Sequence, residues 1–385
     1  MKKSIAIVSL RFSPAHTSHL FAYGRLAHEL GLEVTFILEE QYLGRANFAG
    51  CGQVIPITKH GRLGEFPACD YAVFYNAAFR NARLAKHMRR RGTGVLYVFH
   101  EPVAITKRLV LGWKGIAPLA VAKMLSINMI RHSSAVLVPS EMALAMYRKY
   151  YSKYNRCVFL LPLLLDDEPV QDGARFRKRP RRYFSFLGNA MEIHDFNGYV
   201  AFAKYALRNG SSMEFAIATR DDLRDLLIRD EELRRYAQAG RIRIQHGRTL
   251  SNEEMNTFAQ ESVCVWSVYK NSTQSGALAR AFMNGAPTVA TRTGSFPEYV
   301  RPGENGEFVE SSTAWPQIQT AIERISNALP GYAEGARGTF SRHFYFMANR
   351  EVFATILDEV DRRRGNSPRS PRSAHAAATS AHDDG

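Results

Sequence analysis

At 385 residues, with 45% hydrophobic and 23% charged residues and a formal net charge of +15, the chain has the make-up of a soluble globular protein of two domains. Its longest apolar stretch, 115–130, is interrupted by Lys123 and falls short of a membrane span. The apolar run 5–10 behind Lys2 and Lys3 is too short for a signal-peptide core. Cys51, Cys69, Cys157 and Cys264 are scattered without a CxxC pair, so neither a zinc site nor a disulfide framework is expected, and a reducing cytoplasm fits.

The charge is unevenly placed. Residues 1–165 hold 22 Lys and Arg against 8 Asp and Glu, and the remainder 29 against 28. A basic first half points to an anionic partner, namely membrane lipid, a phosphorylated acceptor or nucleic acid; scattered cations are more often only a solvated surface.

In chain order, 4–9 is a near-continuous apolar run, as a parallel strand buried on both faces requires. The loop 11–19 follows, then a helix with Leu20, Tyr23, Leu26, Ala27 and Leu30 on one face and Gly31 at its end. The second strand is 34–38. This βαβ unit lacks GxGxxG, which speaks against a nicotinamide or flavin dinucleotide at its turn. Further strands are expected at 54–57, 71–75 and 95–99, with a basic helix carrying Arg80, Arg83, Lys86, Arg89, Arg90 and Arg91 between the last two. The 107–131 stretch, with Trp113 and Leu119 among Lys107, Arg108, Lys114, Lys123 and Arg131, is either an amphipathic segment for anionic lipid or a helix packed on the sheet. A strand at 135–138 leads to a helix capped by Ser140. The polar stretch 166–182, with Pro169 and Pro180, is the expected linker.

A second alternating series follows. Strands are expected at 183–187, 215–218, 242–246 and 263–266, with helices capped by Asp195 and Ser251 and a charged helix over 221–239. Then comes Asn271–Val300, a polar lead-in, a helix starting at Ser275-Gly276 and stopped by Asn284-Gly285, a short strand from Pro287 to Thr291, and a loop marked by Gly294 and Pro297. Helix-start amides lack partners and carry partial positive charge, and a small residue followed by Gly lets a diphosphate approach them. On local pattern alone, an ordinary helix–strand unit is the simpler explanation. Two consecutive α/β series make two doubly wound domains, 1–165 and 183–340. A helix from about 315 to 328, a C-terminal helix within 341–361 and a tail, 362–385, expected to be disordered, complete the chain.

The segments 12–30, His100-Glu101-Pro102, Val138-Pro139-Ser140, Phe186-Leu187-Gly188, 247–254, 274–300 and 303–306 together resemble a GT-B glycosyltransferase, and within that fold glycosyltransferase family 4 and its bacterial polysaccharide relatives. The resemblance spans about 1–360 and is strong in those segments. It implies an α/β fold of GT-B type, with two Rossmann-like doubly wound domains facing a cleft. It implies sugar transfer from a nucleoside-diphosphate sugar, with retention, without a metal and with no cofactor besides that substrate. His100 becomes the catalytic candidate, by contact with the transferred sugar or the transition state. The donor-binding candidates are Gly188, Asn189, Glu192, His194, Arg248, Tyr269, Gln274, Ser275, Gly276, Ala277, Arg280 and Glu298. On the acceptor side stand His16, Thr17, His19 and Glu101.

Two departures stand out. The family's pair of Glu residues seven apart is missing, since no Asp or Glu lies between Glu261 and Glu298. Arg280 takes the second position, and the first falls near Ser272 or Thr273. The family's Arg and Lys diphosphate clamp falls on Asn189 and Asn197, and Arg280 or Arg248 would have to restore the charge.

The leading expectation is a glycosyltransferase of cell-surface polysaccharide or lipid-linked oligosaccharide synthesis, cytoplasmic and peripheral on the inner face of an anionic membrane. The alternatives are a non-catalytic GT-B partner in a glycosylation complex and a sugar-nucleotide epimerase. Nucleic acid is not an expected partner, because the basic residues lack interleaved aromatics or a recognition motif.

Overall fold

A computed structural model of the chain describes residues 2–59, 66–102, 116–168 and 180–365. The first part, 107–115, of the expected amphipathic segment 107–131, the linker residues 169–179 and the tail beyond Gly365 lie outside the described residues, and the rest of that segment falls in the helix Ile116–His132.

Each half is built on one parallel sheet. In the first, β1 (Ser4–Ser9), β2 (Glu33–Glu39), β3 (Gln53–Ile57), β4 (Tyr71–Phe74), β5 (Gly94–Val98), β6 (Ala135–Val138) and β7 (Val158–Leu160) lie in the order β3-β2-β1-β4-β5-β6-β7. The second runs through β8 (Tyr183–Leu187), β9 (Glu214–Ala218), β10 (Ile242–Gln245), β11 (Ser262–Ser267), β12 (Thr288–Thr291) and β13 (Gly306–Val309), in the order β10-β9-β8-β11-β12-β13. The order reverses beside β1 in one sheet and beside β8 in the other. Such reversals open a crevice at the carboxyl ends of the strands. Burial follows the sequence pattern: β4, β5, β6, β8, β11 and β12 are buried along their whole length, with helices covering both faces.

Three elements escape the sequence pattern. Edge strands β7 and β13 are short, with three and four residues, and β13 carries Glu307. The helix Leu329–Thr339 contains Pro330, Gly331, Gly335 and Gly338, residues of low helix propensity. Pro330 sits in its first turn, where the missing N–H costs nothing. The last helix begins at Arg350 and continues to Gly365, so the first four residues of the expected tail are helical. Asp195 stands before its helix in a left-handed conformation, φ 49°, and makes no side-chain cap. Ser140 and Ser251 do cap theirs, the latter in a reciprocal capping box with Glu254.

The last helix returns to the first half, where Phe353, Ile356, Leu357 and Val360 enter the core beside β1 and β4. The two connections between the halves run side by side. Leu165 N–H donates to Phe344 O at 2.8 Å, and Phe346 N–H donates to Leu165 O at 3.0 Å, closing a parallel bridge between Leu165 and Tyr345.

Candidate active site

Between the carboxyl ends of the two sheets lies a cavity of about 310 Å³. Its walls bring together twelve of the residues singled out by the sequence: His16, His19, His100, Gly188, Asn189, His194, Tyr269, Gln274, Ser275, Gly276, Ala277 and Arg280. They come from four strand-to-helix connections, after β1, β5, β8 and β11, and the helices these open, so only the assembled fold makes the site.

The helix Gly276–Met283 points its N-terminus into this space. Ser275 is its cap, with Oγ accepting from Leu278 N–H at 3.1 Å. That leaves the amides of Gly276 and Ala277 without an acceptor among the described residues, both on the cavity wall. A methyl group on Gly276 would stand in the cavity, its nearest neighbour His19 Nε2 at 3.8 Å. Beneath, Tyr269 is buried and supports the His194 ring, with centroids 4.5 Å apart, and His194 Nδ1 is fixed 2.9 Å from Asn189 O.

Three histidines line the opposite wall around the buried Tyr75. His100 lies 4.2 Å and His19 5.7 Å from its ring, and His16 stacks on His100 at 5.7 Å. Burial, which penalises charge, lowers the pKa of all three, that of His19 to about 4. Their rings are therefore neutral, and for His19 and His100 their partners fix the tautomers. His19 gives its Nδ1–H to Leu164 O at 2.8 Å, which leaves Nε2 unprotonated toward Gly276. His100 gives Nε2–H to Tyr75 O at 3.1 Å, and its Nδ1 lies 3.2 Å from Gln274 Oε1. A neutral Nδ1 accepts, so the Gln274 amide has to present its NH₂ in place of that oxygen, a half-turn about its last bond. His16 Nδ1 is buried with no hydrogen-bond partner among the described residues.

The charged candidates fare differently. Arg280 is 8% exposed and spends both Nη atoms on protein: Glu168 at 2.8 Å, Asn256 Oδ1 at 2.7 Å, Ser18 Oγ at 2.9 Å and Asn252 Oδ1 at 3.2 Å. Burial disfavours the Glu168 charge, but Arg280 and the hydrogen bonds from Asn256 and Ser18 outweigh it and hold the carboxyl below its ordinary range. Arg280 thus carries no free charge to a ligand. Arg248 is engaged by Glu254, with Nη1 2.9 Å from Oε2, and stands outside the cavity wall. Glu192 is exposed and pairs with Lys270 at 3.2 Å. Glu298 is not on the wall either. Its two oxygens accept from Glu141 N–H and Met142 N–H at 2.8 and 2.9 Å, so it caps a helix of the other half. Thr17 is buried and Glu101 exposed, both away from the lining.

The polar lead-in also has a structural task that sequence reading did not assign. Ser140 Oγ donates to Thr273 O at 2.7 Å, Thr273 Oγ1 to His100 O at 3.2 Å, and Tyr299 OH to Pro139 O at 3.1 Å. Among wall residues the sequence reading missed are Arg220, Asn252, Thr249 and Met255. Arg220 follows β9, a strand-end position of the kind that carries ligands in such sheets.

No protein-family model matches the sequence, and no curated protein matches it. Solved structures do. Sucrose-phosphate synthase from Thermosynechococcus elongatus superposes with a TM-score of 0.70 at 12% identity, over 94% of this chain and 100% of the other. The catalytic domain of starch synthase IV from Arabidopsis thaliana, bound to ADP and acarbose, gives 0.67 at 9% identity over 94% and 100%. HepE from Anabaena, in complex with UDP and glucose, gives 0.63 at 11% identity over 92% and 99%. These likenesses show the fold: it is α/β, of GT-B type, with two Rossmann-like halves facing a cleft.

Removing one partner of a buried ion pair costs about 3–5 kcal/mol. Arg280→Ala is expected to lose about that much in urea unfolding, because Glu168 then stays buried and unpaired. Arg280→Met with Glu168→Leu is expected to regain most of it; a double variant as unstable as the single would show that pairing is not the reason. The histidines predict a pH dependence. The unfolded chain protonates His19 near 6.5 and the folded one only near 4, so the contribution is complete above 6.5 and is lost as pH falls toward 4. The thermal midpoint should drop over that interval. His19→Asn, which keeps a donor for Leu164 O, should lessen the drop; an unchanged profile would remove His19 from the account.

Proposed function

We propose that this chain is a glycosyltransferase of the family 4 type, transferring a sugar from a nucleoside-diphosphate sugar held by the second half to an acceptor held by the first. The observation that carries the reading is the cavity between two sets of strand ends, into which the Gly276 and Ala277 amides open without a partner among the described residues. Developing charge on a leaving diphosphate is stabilised most by donors already in place. The fold neighbours agree: HepE is described with UDP and glucose, and starch synthase IV with ADP and acarbose.

In this reading the bond from the anomeric carbon to the diphosphate oxygen breaks as the acceptor oxygen bonds to the same carbon. The acceptor proton passes to the departing diphosphate, which needs no protein base and retains the configuration. The neutral His100, tethered at both nitrogens, forms a fixed polar wall beside the sugar rather than a proton shuttle. The amides and a cation supply the charge without a metal. A second reading, a non-catalytic partner of the same fold, draws on Arg280, which stands where the resemblance expects a carboxylate and is spent on Glu168. Turnover of any sugar nucleotide, abolished by His100→Ala, would exclude it.

The acceptor is a polysaccharide or lipid-linked oligosaccharide, met at the inner face of a membrane. No helix among the described residues is long and apolar enough to cross a membrane, so attachment would be peripheral. The basic helix Phe79–Arg90 supports it, with Phe79 65% exposed at its start.

UDP, GDP, ADP and their sugars are the ligands to screen by thermal shift; one at 100 times its dissociation constant adds about 2.7 kcal/mol. Gly276→Ala should leave the unliganded midpoint unchanged or slightly raised, and abolish most of that shift. Undiminished binding in the variant would move the diphosphate away from this helix. For the membrane part, the protein should sediment with vesicles of anionic lipid at low salt and be released by high salt; indifference to lipid charge would refute it.

A further inference from the structure

Building on the nucleotide-sugar reading, we infer that Arg220 is the cation that binds the diphosphate of the donor, in place of the basic clamp whose positions are Asn189 and Asn197. A diphosphate carries more negative charge than one helix terminus, worth about half an elementary charge, can balance. Arg280, the other arginine on the wall, is committed to Glu168, Asn256 and Ser18. Arg220 lines the cavity with an exposed side chain, and no hydrogen bond or ion pair holds it among the described residues.

Its backbone, by contrast, is tightly placed. Thr219 N–H donates to Gln245 O at 2.9 Å. The neighbouring Asp221 carboxylate accepts from Ala190 N–H at 2.6 Å and from Thr219 Oγ1 at 3.1 Å, while Asp221 O accepts from Gly247 N–H at 3.0 Å. The loops after β8, β9 and β10 are thereby stitched together, and Arg220 emerges from the seam. The Asp221 carboxylate is occupied by those donors. On the far wall His16 Nδ1 is buried without a partner among the described residues, and the positive charge of Arg220 is among the influences that keep its ring neutral. A cation and an unsatisfied ring nitrogen thus face the same space, next to the open amides of Gly276 and Ala277. An anion placed there pairs with the cation and accepts from the amides, and from the neutral His16 ring in its Nδ1–H tautomer.

The test is calorimetric titration of the full chain and of Arg220→Ala and Arg220→Lys with UDP, GDP and ADP and with their monophosphates. Arg220 is exposed, so both variants should keep the wild-type circular dichroism and thermal midpoint. For the nucleotide that the wild type binds, Arg220→Ala should lose about ten- to hundred-fold in diphosphate affinity. The monophosphate should lose much less, and Arg220→Lys should keep most of the affinity. Diphosphate affinity unchanged in Arg220→Ala overturns the inference and leaves the nucleotide-sugar reading standing. Equal losses for diphosphate and monophosphate overturn it too, because Arg220 would then recognise the nucleoside. A wild type that binds none of the six overturns the nucleotide-sugar reading and this inference with it.

Discussion

A guanidinium cannot be buried alone, and the burial of Arg280 shapes much of this molecule. Its acceptors come from both halves and from the connection between them: Ser18 from the first, Asn252 and Asn256 from the second, and Glu168 from the crossing chain. The network is satisfied on every side, as low-dielectric surroundings demand. It fixes the first loop-to-helix turn against the helix Gly276–Met283 and so sets the width of the cleft. It also removes from the ligand site the charge that the sequence suggested would be there.

A second set of bonds acts on the same helix from its other side. Thr273, Glu298 and Tyr299 each reach across to the first half, at His100, the Glu141–Met142 amides and Pro139. The segment that leads into Ser275 and Gly276 is therefore held by both halves. Amides that open into a cavity stabilise an incoming charge best when they need not reorganise, and this double anchorage provides that stiffness. His19 and His100 serve the same end, each with a tautomer set by a backbone carbonyl rather than by solvent.

The sheets were legible because buried parallel strands are written as continuous apolar runs, and Ile5–Val8 or Val263–Trp266 admit few other readings. The short edge strands β7 and β13 and the Pro- and Gly-bearing helix Leu329–Thr339 were not, since tertiary packing decides them rather than local pattern. At the site, Gly188, Ser275 and Gly276 line the cavity because strand and helix ends must stand there. Where the charged candidates would point could not be read the same way. Arg248, Glu192 and Glu298 are claimed by Glu254, Lys270 and two backbone amides. Such pairings depend on which residues meet in space, and in sequence Arg220 is only one charge in a Thr-Arg-Asp turn.

The bridge between Leu165 and Tyr345 bears on how the cleft can move. Two strands that cross side by side and share backbone bonds resist being twisted about one another, yet they can flex together like a leaf spring. The same crossing anchors the hinge end of the cleft, while Ser18, Ser140, Thr273, Glu298 and Tyr299 bond the halves further out. Opening the cleft about the crossing therefore has to break those outer bonds first, and a ligand that enters meets walls already in register.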